Sequence, residues 1–104
     1  MEYLVVLLEE TERDLENIYS YIATNCFEPI YAGNLISKIK NAARSLSTFP
    51  YRHPLCEYSL IKGVRKFVLS GYIILYTIDD IEKIVTIIAI VSCKRAFVNT
   101  NVRN

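Results

Sequence analysis

The chain has 104 residues and a formal net charge of +1, a length that supports one modest hydrophobic core and predicts a single domain over residues 1–104. No apolar run reaches the roughly 18 residues that a membrane span needs, and the apolar start lacks a basic flank and a cleavage site, so we expect a cytoplasmic protein. Three cysteines without a paired spacing and a single histidine support neither a disulfide framework nor a metal site, and we expect no cofactor.

The N-terminal residues predict a strand followed by a helix. Tyr3–Leu8 is rich in β-branched and aromatic residues and stops at a pair of glutamates, which is typical of a first strand. Thr11 followed by Asp14 resembles a capping box, and apolar residues then recur at helical spacing. We therefore expect a helix that begins at Thr11 and ends near Asn25.

A second helix is expected to begin at Glu28-Pro29, because proline is tolerated in the first turn of a helix. It should end before Phe49-Pro50. Only two or three residues join the two helices, which forces them to lie side by side and antiparallel. The apolar stripe of the second helix consists of Ala32, Leu35, Ile36, Ile39, Ala42, Ala43 and Leu46.

The remaining sequence predicts a loop and a three-stranded meander. Residues 49–63 hold two prolines and one glycine without a clear period, which indicates an ordered loop. Ser70-Gly71 and a turn that starts at Asp79 predict two reversals, so the strands should be antiparallel. Residues 98–104 should be a loose tail. The predicted strands are Val64–Leu69, Tyr72–Ile78 and Ile84–Val91. The fold class is therefore α+β, with an antiparallel helical hairpin packed on a small antiparallel sheet in the order β-α-α-β-β-β.

The last two predicted strands are apolar on both faces. An antiparallel sheet with one wet face alternates apolar and polar residues, whereas Tyr72–Ile78 and Ile84–Val91 do not. The helical hairpin can cover only one face, so something must cover the other. The candidates are the 49–63 loop, a second copy of the chain, or another protein.

Charge is segregated along the sequence. Residues 1–28 hold seven acids and one base, a net of −6, whereas residues 29–104 hold eleven bases and four acids, a net of +7. Lys38 and Arg44 lie mostly off the apolar stripe of the second helix, which suits either a solvated face or a surface for an acidic partner. The charge is thus compatible with binding of a polyanion but does not by itself predict it.

Particular residues stand at the joints of these elements. Those in the helices are Asp14-Leu15, Ile18, Tyr21-Ile22, Ala32, Leu35 and Ile39. Those after the helices are Phe49-Pro50, Gly63-Val64-Arg65-Lys66, Tyr72, Tyr76, Val85–Val91, Cys93-Lys94-Arg95 and Phe97. Together with the element order, they resemble the RelE/ParE superfamily of toxins from type II toxin-antitoxin, or plasmid stabilisation, modules.

The resemblance implies a small toxin that a cognate antitoxin neutralises by wrapping it and covering its sheet or helical surface. RelE-like members are ribosome-dependent endoribonucleases that cut messenger RNA, whereas ParE-like members poison DNA gyrase. The partners implied are thus an antitoxin together with either gyrase or the ribosome and its message. The assembly would be a homodimer or a toxin-antitoxin hetero-oligomer.

If the chain is a nuclease, the resemblance implies a catalytic set of cations around the scissile phosphate, where they would stabilise developing charge. Arg95 matches an arginine of the RNase branch at the end of the last strand, and Lys66 matches a lysine of the second sheet strand. Arg65 is the alternative to Lys66. Successive strand residues point to opposite faces, so only one of these two can join Arg95.

Three positions depart from the RNase pattern. Ile73 replaces the arginine that usually follows the middle-strand tyrosine, Ser92 replaces a histidine or tyrosine, and Phe97 stands near the place of a C-terminal tyrosine. We therefore favour ParE-like gyrase poisoning over an mRNA interferase, and a degenerate interaction module without toxicity is the third reading. The residues expected to contact the antitoxin or target are Lys94, Ile73, Leu75, Lys38 and Arg44.

Overall fold

A computed structural model describes residues 2–57 and 59–94, which form a four-stranded sheet with a helical hairpin on one face. The elements are strand β1 (Leu4–Leu7), helices α1 (Glu9–Ser20) and α2 (Pro29–Arg44), and strands β2 (Arg65–Leu69), β3 (Tyr72–Asp79) and β4 (Ile84–Ser92). The predicted α+β class and the order β-α-α-β-β-β are confirmed. Arg95, Phe97 and the predicted tail at 98–104 lie outside the described residues.

The sheet has the strand order β1-β4-β3-β2. The pairs β2–β3 and β3–β4 are antiparallel, as expected for the meander. The first strand lies parallel to β4, with Leu4 opposite Ile84, so the sheet is mixed. Both apolar strands, β3 and β4, therefore occupy the centre of the sheet.

Helix α1 begins two residues before the predicted cap at Thr11. Leu8 precedes the first turn in an extended conformation and makes no side-chain cap hydrogen bond. Thr11 is fully buried, and its hydroxyl donates to the carbonyl oxygen of Ile87 at 2.7 Å. The capping-box prediction was wrong because the hydroxyl binds strand β4 instead of the helix's own backbone.

Asp14 serves a second contact between α1 and β4. The pairing of β4 with β3 shifts by one residue, which leaves Ile88 as a β-bulge. Just beyond the bulge, the backbone N–H of Ile90 donates to the Asp14 carboxylate at 3.0 Å. The carboxylate thus satisfies a strand donor where the strand is irregular.

The two helices meet through a single turn of π-helix. Helix α1 continues into this turn at Tyr21–Asn25, so the predicted end near Asn25 is confirmed. Phe27 then adopts a left-handed conformation with φ of 58°, and Pro29 opens α2 as expected. Within the described residues, neither helix is long and apolar enough to cross a membrane.

One core joins the helices to the sheet. The predicted stripe of α2 supplies several of its members, and Tyr76 contributes a fully buried aromatic ring. Fully burying an aliphatic side chain stabilises a fold by roughly 1.5–3 kcal/mol relative to leaving it exposed. The buried core residues are Leu15, Ile22, Ala32, Leu35, Ile39, Ala43, Leu46, Ile74, Tyr76, Val85, Ile87 and Ile90.

The loop between α2 and β2 is ordered by pairing with the edge of the sheet. Lys66 N–H donates to the carbonyl of Pro54 at 2.9 Å, and Cys56 N–H donates to the carbonyl of Val64 at 2.7 Å. Arg52 fixes the other end of the loop, because its guanidinium donates to the carbonyls of Ser45 and Thr48 at the end of the helical segment. An edge strand paired in this way offers fewer open backbone groups.

The contact between Asp14 and the bulge gives a test of how α1 is held to the sheet. We expect Asp14→Ala to lower the free energy of unfolding by about 2 kcal/mol, because the substitution removes a charge-assisted hydrogen bond. Urea unfolding measures the effect. The matched control is Glu16→Ala on the same helix, whose exposed carboxylate should change stability by about 0.5 kcal/mol or less. Equal losses in the two variants would contradict the assignment.

Candidate functional site

The face of the sheet opposite the helices is predominantly apolar, and we call it the open face. Its residues alternate along each strand with those that point into the core. Leu4 and Val68 on the two edge strands are 63% and 57% exposed. The residues of the open face are Leu4, Val6, Lys66, Val68, Ile73, Leu75, Thr77, Ile84, Thr86, Ala89 and Val91.

The 49–63 loop makes its side-chain contacts on the helical side of the sheet. The ring of His53 stacks on Phe67 with the centroids 3.8 Å apart, and the Tyr76 hydroxyl donates to the carbonyl of Pro50 at 2.6 Å. Phe67 and Tyr76 both belong to the core face. The described contacts of the loop therefore lie on the helical side and do not cover the open face.

Arg65 and Lys66 point to opposite faces of the sheet. The Arg65 guanidinium donates to the carbonyl of His53 at 2.6 Å and lies 4.8 Å from the centroid of the Tyr51 ring. Its charge is therefore used to hold the loop on the helical side. Lys66 pairs with Leu75 across β2 and β3 and belongs to the open face.

Lys66 and Lys94 stand far apart on the sheet. Lys66 is opposite Leu75, whereas Ser92 is opposite Tyr72, which comes three residues before Leu75 on β3. These positions differ by roughly 10 Å along the strands and by about another 10 Å across two strand spacings. Lys94 lies two residues beyond Ser92 and is exposed. Arg95, the third expected member of the nuclease set, lies outside the described residues.

The two expected contact residues of α2 lie on the helical side of the molecule. Lys38 is exposed, and the Arg44 guanidinium donates to the side-chain oxygen of Asn41 at 3.1 Å. Arg44 also lines a cleft of about 280 Å³ between the helices and β1, together with Glu12 and Lys40. The five residues predicted for binding are thus divided, with Ile73 and Leu75 on the open face and the α2 cations elsewhere.

His53 lies against two aromatic rings of the core face, which its place in a proline-rich loop does not indicate. Besides stacking on Phe67, it meets the edge of Tyr76 with the ring centroids 6.5 Å apart. Its Nε2 atom is buried and has no hydrogen-bond partner among the described residues. Burial lowers the pKa of His53, and the nearby Arg52 cation lowers it further. Both effects favour the neutral imidazole, which stacks on a ring that itself packs against the core.

A polar clamp ties together three distant parts of the chain. Tyr3 donates to one carboxylate oxygen of Asp80 at 2.8 Å, and Tyr51 donates to the other. These hydrogen bonds lower the pKa of Asp80, and the same bonds raise the pKa of both tyrosines. Sequence reasoning missed this clamp because no local pattern connects residues that are up to 77 positions apart.

The family model described as the ParE toxin of the type II toxin-antitoxin system parDE matches residues 5–97. The chain belongs to the ParE toxin family. The predicted membership of the RelE/ParE superfamily is thereby confirmed, and the chain is a toxin of the type II toxin-antitoxin class. No curated relative matches this ParE-family chain by sequence.

Three solved structures are similar to this ParE-family chain. The chromosomal ParDE system from P. aeruginosa has 18% identity and a TM-score of 0.70, covering 88% of this chain and 96% of that one. The toxin-antitoxin complex RelBE2 from Mycobacterium tuberculosis has 21% identity and a TM-score of 0.68, covering 88% and 99%. A free mutant of E. coli toxin RelE has 17% identity and a TM-score of 0.59, covering 96% and 93%. At these identities the likeness shows the fold alone.

The buried imidazole predicts a pH dependence of stability. Because the pKa of His53 in the folded chain lies below its ordinary value of 6.5, the unfolded chain takes up the proton first as the pH falls. The free energy of unfolding should then decrease below about pH 6.5, by at most about 1.4 kcal/mol per pH unit from this group. Above that pH, His53 should contribute no slope.

Urea unfolding at about pH 7.5, 6.5 and 5.5 measures this slope. The control variant is His53→Phe, which keeps an aromatic ring against Phe67 and cannot titrate. It should lose the part of the slope that His53 contributes, and a variant with the wild-type slope would contradict the neutral, buried imidazole.

Proposed function

We propose that this chain is a growth-inhibiting toxin that acts in the cytoplasm by poisoning DNA gyrase and is neutralised by a cognate antitoxin bound over the open face. The observation that carries the proposal is the composition of that face, where Ile73 and Leu75 form an apolar centre beside exposed Val68, and Leu4 is exposed on the opposite edge strand. A surface of this kind marks a protein interface more often than a nuclease site.

The antitoxin part of the proposal is supported by the need to cover the open face. The helices fill one side of the central strands and the loop contacts the same side, so an apolar segment from another chain is the cover that satisfies the second side. Lys94 at the end of β4 would attract an acidic flank of such a segment. The similar structures from P. aeruginosa and M. tuberculosis are themselves toxin-antitoxin systems.

The gyrase part is supported by how the cations are used. Cleavage at a phosphate requires donors that converge on the same few ångströms. Arg65 binds the loop on the helical side, and Lys66 and Lys94 are separated along and across the strands. Ile73 places a hydrocarbon where the nuclease pattern has a guanidinium. The described part of the chain therefore favours protein binding over cleavage of RNA.

A ribosome-dependent mRNA endoribonuclease is the second candidate. Lys66 is the observation in its favour, because this lysine does lie on the open face as that activity would require. Its catalytic partner would be Arg95. The two candidates differ in substrate, so one pair of assays separates them.

The test compares gyrase with translated message, using the purified chain in both assays. We expect the chain to accumulate gyrase-dependent DNA breaks and to cut no message in a toeprinting assay, because Arg65, Lys66 and Lys94 do not converge. The cognate antitoxin should suppress the DNA breaks.

The variant Arg95→Ala serves as the control for the rival activity. Codon-specific cuts in translated message that disappear in Arg95→Ala would overturn the gyrase proposal in favour of the nuclease. Normal growth of cells that hold a high level of the soluble chain without its antitoxin would overturn both activities and leave an interaction module without toxicity.

A further inference from the structure

The tip of the helical hairpin carries four large apolar side chains in contact with solvent. Tyr21 and Tyr31 are 60% and 53% exposed, and Phe27 and Ile30 are 84% and 80% exposed. They lie within eleven consecutive residues, where the π-turn of α1 leads into α2. We call these four residues the hairpin-tip patch. Isolated exposed apolar residues are normal on proteins, whereas a cluster of this kind marks a binding surface.

The backbone at Phe27 shows that local structure does not favour a phenylalanine at this end of the hairpin. Its φ of 58° lies in the left-handed region, which costs an L-residue with a bulky side chain roughly 1–2 kcal/mol. Glycine or asparagine is the usual choice at such a helix end. The Phe27 ring is largely exposed, so burial of the ring does not offset this cost. The fold itself thus gains little from a phenylalanine at this position.

The charge around the patch indicates what kind of molecule fits it. Between Arg13 and Lys38 the sequence contains no lysine or arginine, and it contains the exposed acids Glu16 and Glu28, of which Glu28 lies between Phe27 and Ile30 of the patch. A nucleic-acid backbone would be repelled by such a segment. A protein surface with an apolar spot among lysine and arginine side chains complements it.

We infer that the hairpin-tip patch is a contact surface for the protein target of this toxin, separate from the open face that the antitoxin covers. The inference rests on the proposed function, which makes gyrase the target. An enzyme that binds DNA presents basic surfaces to the phosphates, so it offers the complement that the patch and its acidic surroundings require. The patch lies on the helical side of the sheet, and the open face lies on the other.

The test uses two variants of the patch, Phe27→Asn and Ile30→Gln, in the full chain. Asparagine tolerates the left-handed conformation, and Ile30 is exposed, so both variants should keep the melting temperature of the wild type or exceed it. We expect each to raise the concentration of toxin that gives half-maximal gyrase-dependent DNA breakage by about tenfold or more, as loss of a buried apolar anchor does. Affinity for the cognate antitoxin should stay within about twofold.

The matched control is Phe49→Asn. Phe49 is also left-handed, with φ of 49°, and is 78% exposed, but it lies outside the hairpin. This variant should act on gyrase within about twofold of the wild type. An equal loss in Phe49→Asn would mean that any exposed aromatic ring has the same effect, which contradicts a specific contact at the tip.

The remaining outcomes separate this inference from the proposed function. Patch variants that act on gyrase as strongly as the wild type would overturn the inference alone. A wild-type chain with no effect on gyrase would overturn the proposed function and the inference with it. Loss of antitoxin affinity, or loss of self-association with unchanged gyrase poisoning, would assign the patch to the antitoxin or to a second copy and would likewise overturn it.

Discussion

The pairing of β3 with β4 in the centre of the sheet is the constraint on which the other contacts depend. Both strands are apolar on both faces, so burying one face leaves the other in need of a partner. The helical hairpin covers the first face, where Leu35 and Ile39 share one buried core cluster with residues of β3 and β4. The polar contacts of α1 serve the same pairing, because Thr11 and Asp14 bind the backbone of β4 around its bulge.

Local patterns were sufficient to predict the elements of this fold. The helical hairpin follows from apolar periodicity with a proline at the start of α2, and the β2–β3 turn follows from Ser70-Gly71. In the structure both turn residues have positive φ, as a two-residue hairpin of the primed type requires. The apolar character of both faces of β3 and β4 was also predictable, because a lack of apolar-polar alternation is a local property of the sequence.

Long-range partners were not predictable from the same patterns. The parallel pairing of β1 with β4 depends on residues about 80 positions apart, so no turn signal indicates it. Thr11 was predicted to cap the helix because hydroxyl side chains near a helix start usually do so. The carbonyl that its hydroxyl binds belongs to β4, which is distant in the sequence. His53 is a loop residue, and its contacts with Phe67 and Tyr76 follow from where the loop lies against the sheet.

The site illustrates the same division between local and long-range information. The opposite orientation of Arg65 and Lys66 follows from strand geometry alone, whereas the loop carbonyl that binds Arg65 could not be inferred from spacing. Because Arg65 holds the loop, its charge is not available to bind a phosphate on the open face. Among the described residues, the cations of the basic second half of the chain lie on the loop, on α2 and at separate positions of the sheet, so they do not surround one site.

Because the described cations do not form one site, two apolar surfaces are the candidate binding sites of this toxin. The open face lies across the sheet from the helices and suits an extended apolar cover. The hairpin-tip patch lies on the helical side in an acidic segment. If the antitoxin binds the open face and the target binds the hairpin-tip patch, the two do not compete for the same residues. Neutralisation would then depend on the shape of the assembled complex.

The most direct measurement of the central claim is the affinity of the cognate antitoxin for two variants, Val68→Glu and Ile81→Glu, by titration calorimetry. Both replace an exposed branched apolar residue by the same charge, but Val68 lies on the open face and Ile81 lies in the turn after β3, where it is 91% exposed. The account predicts a loss of about tenfold or more for Val68→Glu, since the antitoxin would bury an unpaired charge, and a change within about twofold for Ile81→Glu. Unchanged affinity for a folded Val68→Glu would contradict an antitoxin seated on the open face.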